Sequence, residues 1–135
     1  MSINRIFVGL PVADIAASKA FYQQLGFPLN PQFSDDSNAY VVISDTIALQ
    51  LATHDQFGSF TSTDVPPSGG VIAALGVESR DEVDRLTDLA LRSGGAPTKE
   101  TTDFGWLYNR GFADPDGHHF EVVYVDLDAM PQQPA

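Results

Sequence analysis

The residues best suited to chemistry lie near the end of the chain, in His118-His119-Phe120-Glu121. Side chains alternate along a strand, so His119 and Glu121 share a face and His118 points to the other. A neutral imidazole titrates near working pH and can take a proton from a carbon beside a carbonyl. A carboxylate turned into a sheet interior must find water, a partner or a ligand to offset its lost hydration. His119 and Glu121 are therefore the candidate catalytic residues. His118 follows Asp114-Pro115-Asp116-Gly117 and is expected to support that turn. His54, beside Asp55 and without a second histidine at ligand spacing, reads as a solvated loop residue. The acidic turn lacks the further oxygen ligands of a calcium loop, and Gly94-Gly95 follows a helix instead of opening one, so neither a calcium nor a nucleotide site is indicated.

The positioning elements follow from hydrophobic period. Ile6 to Val12 alternates as a strand, and Asp14 offers an N-cap to a helix running to about Leu25, closed by Gly26. Ile15, Ser18, Phe21, Tyr22 and Leu25 form its stripe. Ala39 to Ser44 and Thr46 to Ala52 read as a hairpin about Asp45. His54 to Gly70 shifts to Ser, Thr, Pro, Gly and Asp and is expected to be a 17-residue connector without periodicity. Val71 to Val77 alternates again, and Ser79 with Glu82 caps a helix whose stripe is Val83, Leu86 and Ala90 and which ends near Ser93. Gly105 to Ala113 and His118 to Val125 make a closing hairpin. Leu10-Pro11-Val12 returns sixty-five residues later as Leu75-Gly76-Val77, which points to an internal duplication. The expected organisation is one domain over 1–135, with modules at about 4–53 and 71–126, a connector at 54–70 and a short tail at 127–135.

The chain has 135 residues, 43% of them apolar, enough for one globular domain that needs neither disulfide nor metal merely to fold. Eighteen acidic against seven basic side chains leave a net charge of -11, which disfavours nucleic-acid and membrane-surface partners and favours cationic ligands. Without cysteine there is no thiolate metal site, thiol nucleophile or disulfide framework. The N-terminal apolar run is broken by Pro11 and no 18-residue apolar stretch exists, so a soluble cytoplasmic protein is expected.

The duplication, together with Phe7-Val8-Gly9-Leu10-Pro11-Val12-Ala13-Asp14, Ser18-Lys19-Ala20-Phe21-Tyr22, Leu25-Gly26-Phe27 and Phe112-Ala113-Asp114-Pro115-Asp116-Gly117-His118 followed by Glu121, resembles the vicinal oxygen chelate superfamily over about residues 4–126. Glyoxalase I, bleomycin-resistance proteins and extradiol dioxygenases belong there. The resemblance implies an α+β fold of two tandem βαβββ modules forming a curled, cup-shaped mixed sheet, and a homodimer. It also implies four inward ligand positions in metal-dependent members. These fall here on Phe7, Gln50, Ile72 and Glu121, and only Glu121 is a standard ligand. A conventional divalent-metal site is thus disfavoured and no cofactor is expected, although Glu121, His119 and Gln50 are the residues from which a non-standard one could be assembled.

Trp106 and Tyr108 alternate on one strand and, with Phe7, suit a wall for an aromatic ligand. The expectation is a small-molecule-binding protein of the glyoxalase/bleomycin-resistance type, with Phe7, Gln50, Ile72, Trp106 and Tyr108 as ligand-binding residues beside His119 and Glu121. Whether it is an enzyme stays open. The enzymatic alternative is a lactoylglutathione-lyase-like lyase or isomerase, favoured over a dioxygenase, using Glu121 with His119 and Gln50 around a metal. A third reading is an interaction module with a vestigial cleft.

Overall fold

In the first half, the second and third strands each bury one apolar face against a helix that the sequence caps explicitly. The computed structural model describes residues 2–61, 68 and 70–131, and the chain divides into two compact units, Met1–Pro67 and Ser68–Ala135. The first unit opens with β1 (Ile6–Val12), followed by α1 (Ile15–Gln24), β2 (Asn38–Val42), β3 (Ile47–Thr53) and α2 (His54–Thr61). Asp14 caps α1 by accepting from the Ala17 N–H at 3.1 Å, and Gly26, at φ 94°, takes the left-handed conformation that ends it. Ser18, Phe21, Tyr22 and Leu25 of the expected stripe are buried, with Phe21 and Tyr22 edge to face at 5.0 Å. They belong with Val12, Ala39, Val41, Leu49 and Leu51 to the core of this unit.

The sheet order is β1-β3-β2, β1 running parallel to β3 and β2 antiparallel to it. An isolated bridge between Leu29 and Val41 stands where a further strand would lie. The strands of the hairpin match expectation to within about two residues, but the turn is wider than a tight one about Asp45, with Ile43 and Ser44 both donating to the Ile47 carbonyl.

The segment from His54 corrects the sequence reading. His54–Thr61 is helical, started by Thr53, whose Oγ1 accepts from the Gln56 N–H at 3.3 Å, and its Phe57 lies 3.8 Å from where a Cβ on Gly9 would stand. A short helix rich in small polar residues carries little periodicity of its own, and tertiary packing supplies what propensity lacks. The rest of the expected connector through residues 62–67 and 69, like the tail at 132–135, lies outside the described residues.

The second unit repeats the plan. It comprises β4 (Ile72–Gly76), α3 (Arg80–Arg92), the two-residue strands β5 (Ala96–Pro97) and β6 (Thr102–Asp103), then β7 (Leu107–Ala113) and β8 (His119–Val125). The order is β4-β8-β7-β5, with β6 also pairing to β7. Ser79 caps α3, accepting from the Glu82 N–H at 3.1 Å, but Glu82 does not return the favour: its carboxylate takes Arg85, with both contacts at 2.9 Å. Val83, Leu86 and Ala90 are buried, as are Phe112, Phe120 and Val122, the two phenylalanines stacked at 5.2 Å. Gly95 is required by close approach, since a Cβ there would meet the Ala90 and Ala113 carbonyl oxygens at 2.8 Å. The fold is α+β with one mixed sheet per unit, and among the described residues no helix is long and apolar enough to cross a membrane.

Candidate functional site

Strand register shows which residues of the two units are equivalent. Phe7 pairs with Ala48 and Gly9 with Gln50, while Ile72 pairs with His119 and Ala74 with Glu121. Across the other edge of the last strand, Tyr40 pairs with Gln50 and Gly111 with Glu121. Phe7 and Ile72 are thus counterparts, as are Gln50 and Glu121, Ala48 and His119, and Tyr40 and Gly111. All lie on the face of their sheet turned away from α1 or α3, called here the open face. The sequence placed Phe7, Gln50, Ile72, His119 and Glu121 on these faces, and the register puts them there, Phe7, Gln50 and their neighbours in one unit and Ile72, His119 and Glu121 in the other.

In the second unit Glu121 has company the sequence reading missed. Asn109 donates from Nδ2 to Glu121 Oε2 at 3.2 Å, and its Oδ1 accepts from Lys99 Nζ at 2.6 Å. Lys99 also donates to Thr102 Oγ1 at 2.9 Å, and its ammonium stands 3.9 Å from Glu121 Oε1. Both charged side chains are about 30% exposed (32% and 28%). Gly111 makes this possible. A Cβ at that position would collide with Thr98 Oγ1 and meet Lys99 Cγ at 3.0 Å, so the bare backbone of β7 is the bed on which the lysine stem crosses to Asn109 and Glu121. Ile72, 56% exposed, flanks His119 at the outer edge of the same face.

The open face of the first unit is aromatic instead. Phe7 and Tyr40 have ring centroids 5.7 Å apart, Tyr40 and Phe33 5.6 Å, and Phe57 of α2 leans over Gly9. Gln50 sits between Gly9 and Tyr40, flanked along β3 by the small, buried Ala48 and Ala52. Its amide offers one acceptor and two donor hydrogens on a largely aromatic surface.

Tyr108 departs from expectation. Its hydroxyl donates to Asp84 Oδ1 of α3 at 2.7 Å, which puts it on the helix side of the sheet and away from Glu121. The cause is strand phase: Tyr108 alternates with Phe112, whose ring is core, while Asn109 alternates with Gly111 on the open face. Arg80 lies over the Tyr108 ring at 4.3 Å, and Arg110 reaches Asp84 and Asp88 at 3.0 and 2.9 Å. The hydrogen bond to Asp84, aided by burial and the Asp84 charge, raises the phenol's pKa above its ordinary value; the same hydrogen bond, with Arg110 assisting against partial burial, lowers that of Asp84. Tyr108 is therefore a neutral member of a structural network. Trp106 lies just before β7, half-buried, its ring 6.1 Å from the exposed Phe104. His118 supports the turn as expected, its backbone N–H donating to Asp114 Oδ1 at 2.9 Å. His54 opens α2 and is exposed.

Of the residues missed, Asn109 was detectable from its alternation with Gly111 opposite Glu121. Lys99 carried a weaker signal, being one of only two lysines in a strongly acidic chain.

Comparison with known proteins agrees with this geometry. The family model for bleomycin resistance protein-like N-terminal regions matches residues 5–44. No curated protein matches the chain. Among solved structures, the hypothetical protein SA1046 from S. aureus is 30% identical, with a TM-score of 0.78 over 92% of this chain and 95% of that one. A glyoxalase/bleomycin resistance protein/dioxygenase family enzyme from Burkholderia phytofirmans PsJN is 19% identical, with a TM-score of 0.75 over 88% of this chain and 96% of that one. The fosfomycin resistance protein FosX from Listeria monocytogenes is 19% identical, with a TM-score of 0.69 over 99% and 97%. With its duplicated strand-helix-strand plan and these likenesses, the chain has the fold of glyoxalase/bleomycin resistance/dioxygenase proteins, and its residues 5–44 match the bleomycin resistance protein-like N-terminal family.

Proposed function

We propose that the protein binds small organic molecules on the open faces of its sheets, in the manner of bleomycin-resistance proteins, and that it does so without a conventional divalent-metal centre. The observation that carries this reading is the set of four counterpart positions. Phe7 and Ile72 are hydrocarbon, Gln50 is a neutral amide, and the one carboxylate, Glu121, already faces the Lys99 ammonium at 3.9 Å. A dication at Glu121 would meet that ammonium as a like charge and would find no imidazole or second carboxylate at the counterpart positions. Among the described residues, no three His, Asp or Glu side chains come together as a metal-binding group. The aromatic open face of the first unit supplies contact area for an apolar or aromatic ligand, with Gln50 as an orienting group. The acidity of the whole chain does not extend to Glu121, which Lys99 neutralises locally, so a preference for cations is not assigned to that face.

Two measurements test the reading. Protein purified without chelator is expected to carry no stoichiometric zinc, nickel, manganese or iron, and titration with these ions is expected to show no site lost in Glu121→Ala. A melting-temperature screen with small aromatic compounds is expected to yield ligands that raise Tm and whose effect weakens in Phe7→Ala and Gln50→Ala. A tightly held, Glu121-dependent ion would overturn the metal-free reading in favour of a lyase or isomerase using His119 and Gln50. A screen without any stabilising compound would favour the interaction module.

A further inference from the structure

Lys99, Asn109 and Glu121 have a chemical regularity beyond neutralising one another. Asn109 lies between a donor and an acceptor, and its side-chain carboxamide satisfies both: Oδ1 accepts from the ammonium at 2.6 Å and Nδ2 donates to the carboxylate at 3.2 Å. The lysine and glutamate are thus already spaced for an amide. One side of the pair remains unspent. Lys99 has three N–H donors, two of which go to Asn109 and Thr102, and among the described residues Glu121 Oε1 accepts no hydrogen bond. The ammonium and Oε1 stand 3.9 Å apart, too far to bond directly.

We propose that Lys99 and Glu121 form a recognition pair for a ligand's carboxamide or lactam edge, its carbonyl accepting from Lys99 Nζ and its N–H donating to Glu121 Oε1. This rests on the small-molecule reading and names the chemical class of ligand for this face. The oxygen and nitrogen of an amide are about 2.3 Å apart by its bond lengths, so two ordinary hydrogen bonds splay outward by roughly 0.8 Å each to span the pair. Charge sharpens the choice. A ligand carboxylate would bring two acceptors against Glu121, and an amidinium would bring two donors against Lys99; only a neutral edge with one of each satisfies both. The arrangement is built in, because Gly111 leaves the room through which the Lys99 stem passes, and Thr102 with Asn109 pins the ammonium.

Benzamide, benzoate and benzamidine share a shape and differ in this edge, and amide-resolved NMR titration of the full chain reads where each binds. Benzamide is expected to shift the signals of Lys99, Asn109 and Gly111 and to bind about tenfold more tightly than either charged analogue. Glu121→Gln leaves the ammonium dominant and is expected to turn the preference towards benzoate, and Lys99→Met, which keeps the stem over Gly111, towards benzamidine. A charged analogue binding wild type as tightly as benzamide, or an order unchanged in both variants, would overturn the amide assignment and leave small-molecule binding standing. Absence of benzamide shifts on this face would overturn the assignment alone, since the thermal screen decides the broader reading separately.

Discussion

Tyr40 and Gly111 occupy the same place in two copies of one plan, and the open faces part company there. In the first unit the tyrosine ring packs against Phe7 and Phe33, giving an aromatic surface around a neutral Gln50. In the second, the glycine leaves a channel across β7 that a lysine fills, and the counterpart of Gln50 is a glutamate paired with that lysine. The helix sides do not diverge in this way. Both bury aromatic residues of comparable bulk, Phe21 and Tyr22 in one unit and Phe112 and Phe120 in the other. A duplicated module must keep its core to fold, whereas its open face is free of that constraint and can diverge.

The largest expected effects test that division. Phe21→Ala and Phe112→Ala, each removing a ring that is 1% exposed, are expected to cost about 3–5 kcal/mol in denaturant unfolding. Phe7→Ala, at 54% exposure, is expected to cost under about 1 kcal/mol. Equal losses at Phe7 and Phe112 would mean that the open face is itself core, and the contrast between the two sides would fall.

A smaller effect examines the Tyr40/Gly111 difference. Gly111→Ala puts a Cβ 3.0 Å from Lys99 Cγ and against Thr98, and is expected to destabilise by about 1–3 kcal/mol while detaching Lys99 from Asn109. Nuclear Overhauser contacts between Lys99 and Asn109 that survive in a fully stable variant would show that the glycine is incidental.

The smallest effect concerns pH. Folding lowers the pKa of Asp84 through its Tyr108 hydrogen bond first and Arg110 second, so the unfolded chain takes up the proton more readily. The resulting stability is complete above the ordinary aspartate range and is lost as pH falls through the lowered folded value. Because Asp84 is 46% exposed, Asp84→Asn is expected to flatten the acid limb of stability by only about a few tenths of a kcal/mol. A steeper acid limb in the variant would reverse the sign of the argument.

Local signals sufficed wherever one residue governs one bond or one face. Asp14 and Ser79 announced helix starts, Gly26 a helix end, and the stripes of both long helices named most of the buried residues, Ile15 proving half-exposed and the buried Thr87 lying outside the stripe. The alternation of β8 put His119 and Glu121 together, and the repeat of Leu10-Pro11-Val12 revealed the duplication that makes Phe7 and Ile72 counterparts. Tyr108 takes the helix side because it is in phase with Phe112 along β7, a relation present in the sequence that aromatic type alone does not convey. The short helix at His54 was illegible because its eight residues are stabilised by contact with β1 and not by a stripe of their own.

Only the tertiary structure joined Lys99 to Glu121. They are far apart in the chain, the lysine precedes β6 without any periodic context, and what unites them is a register between β7 and β8 together with the missing side chain at Gly111. The sequence by itself determined the duplicated plan, the helix-side cores and the residue types that stand at Phe7, Gln50, Ile72 and Glu121, because periodicity and residue chemistry are local properties. The partner of Glu121 was decided by folding, because an electrostatic partner is defined by distance in space and sequence separation says nothing about it.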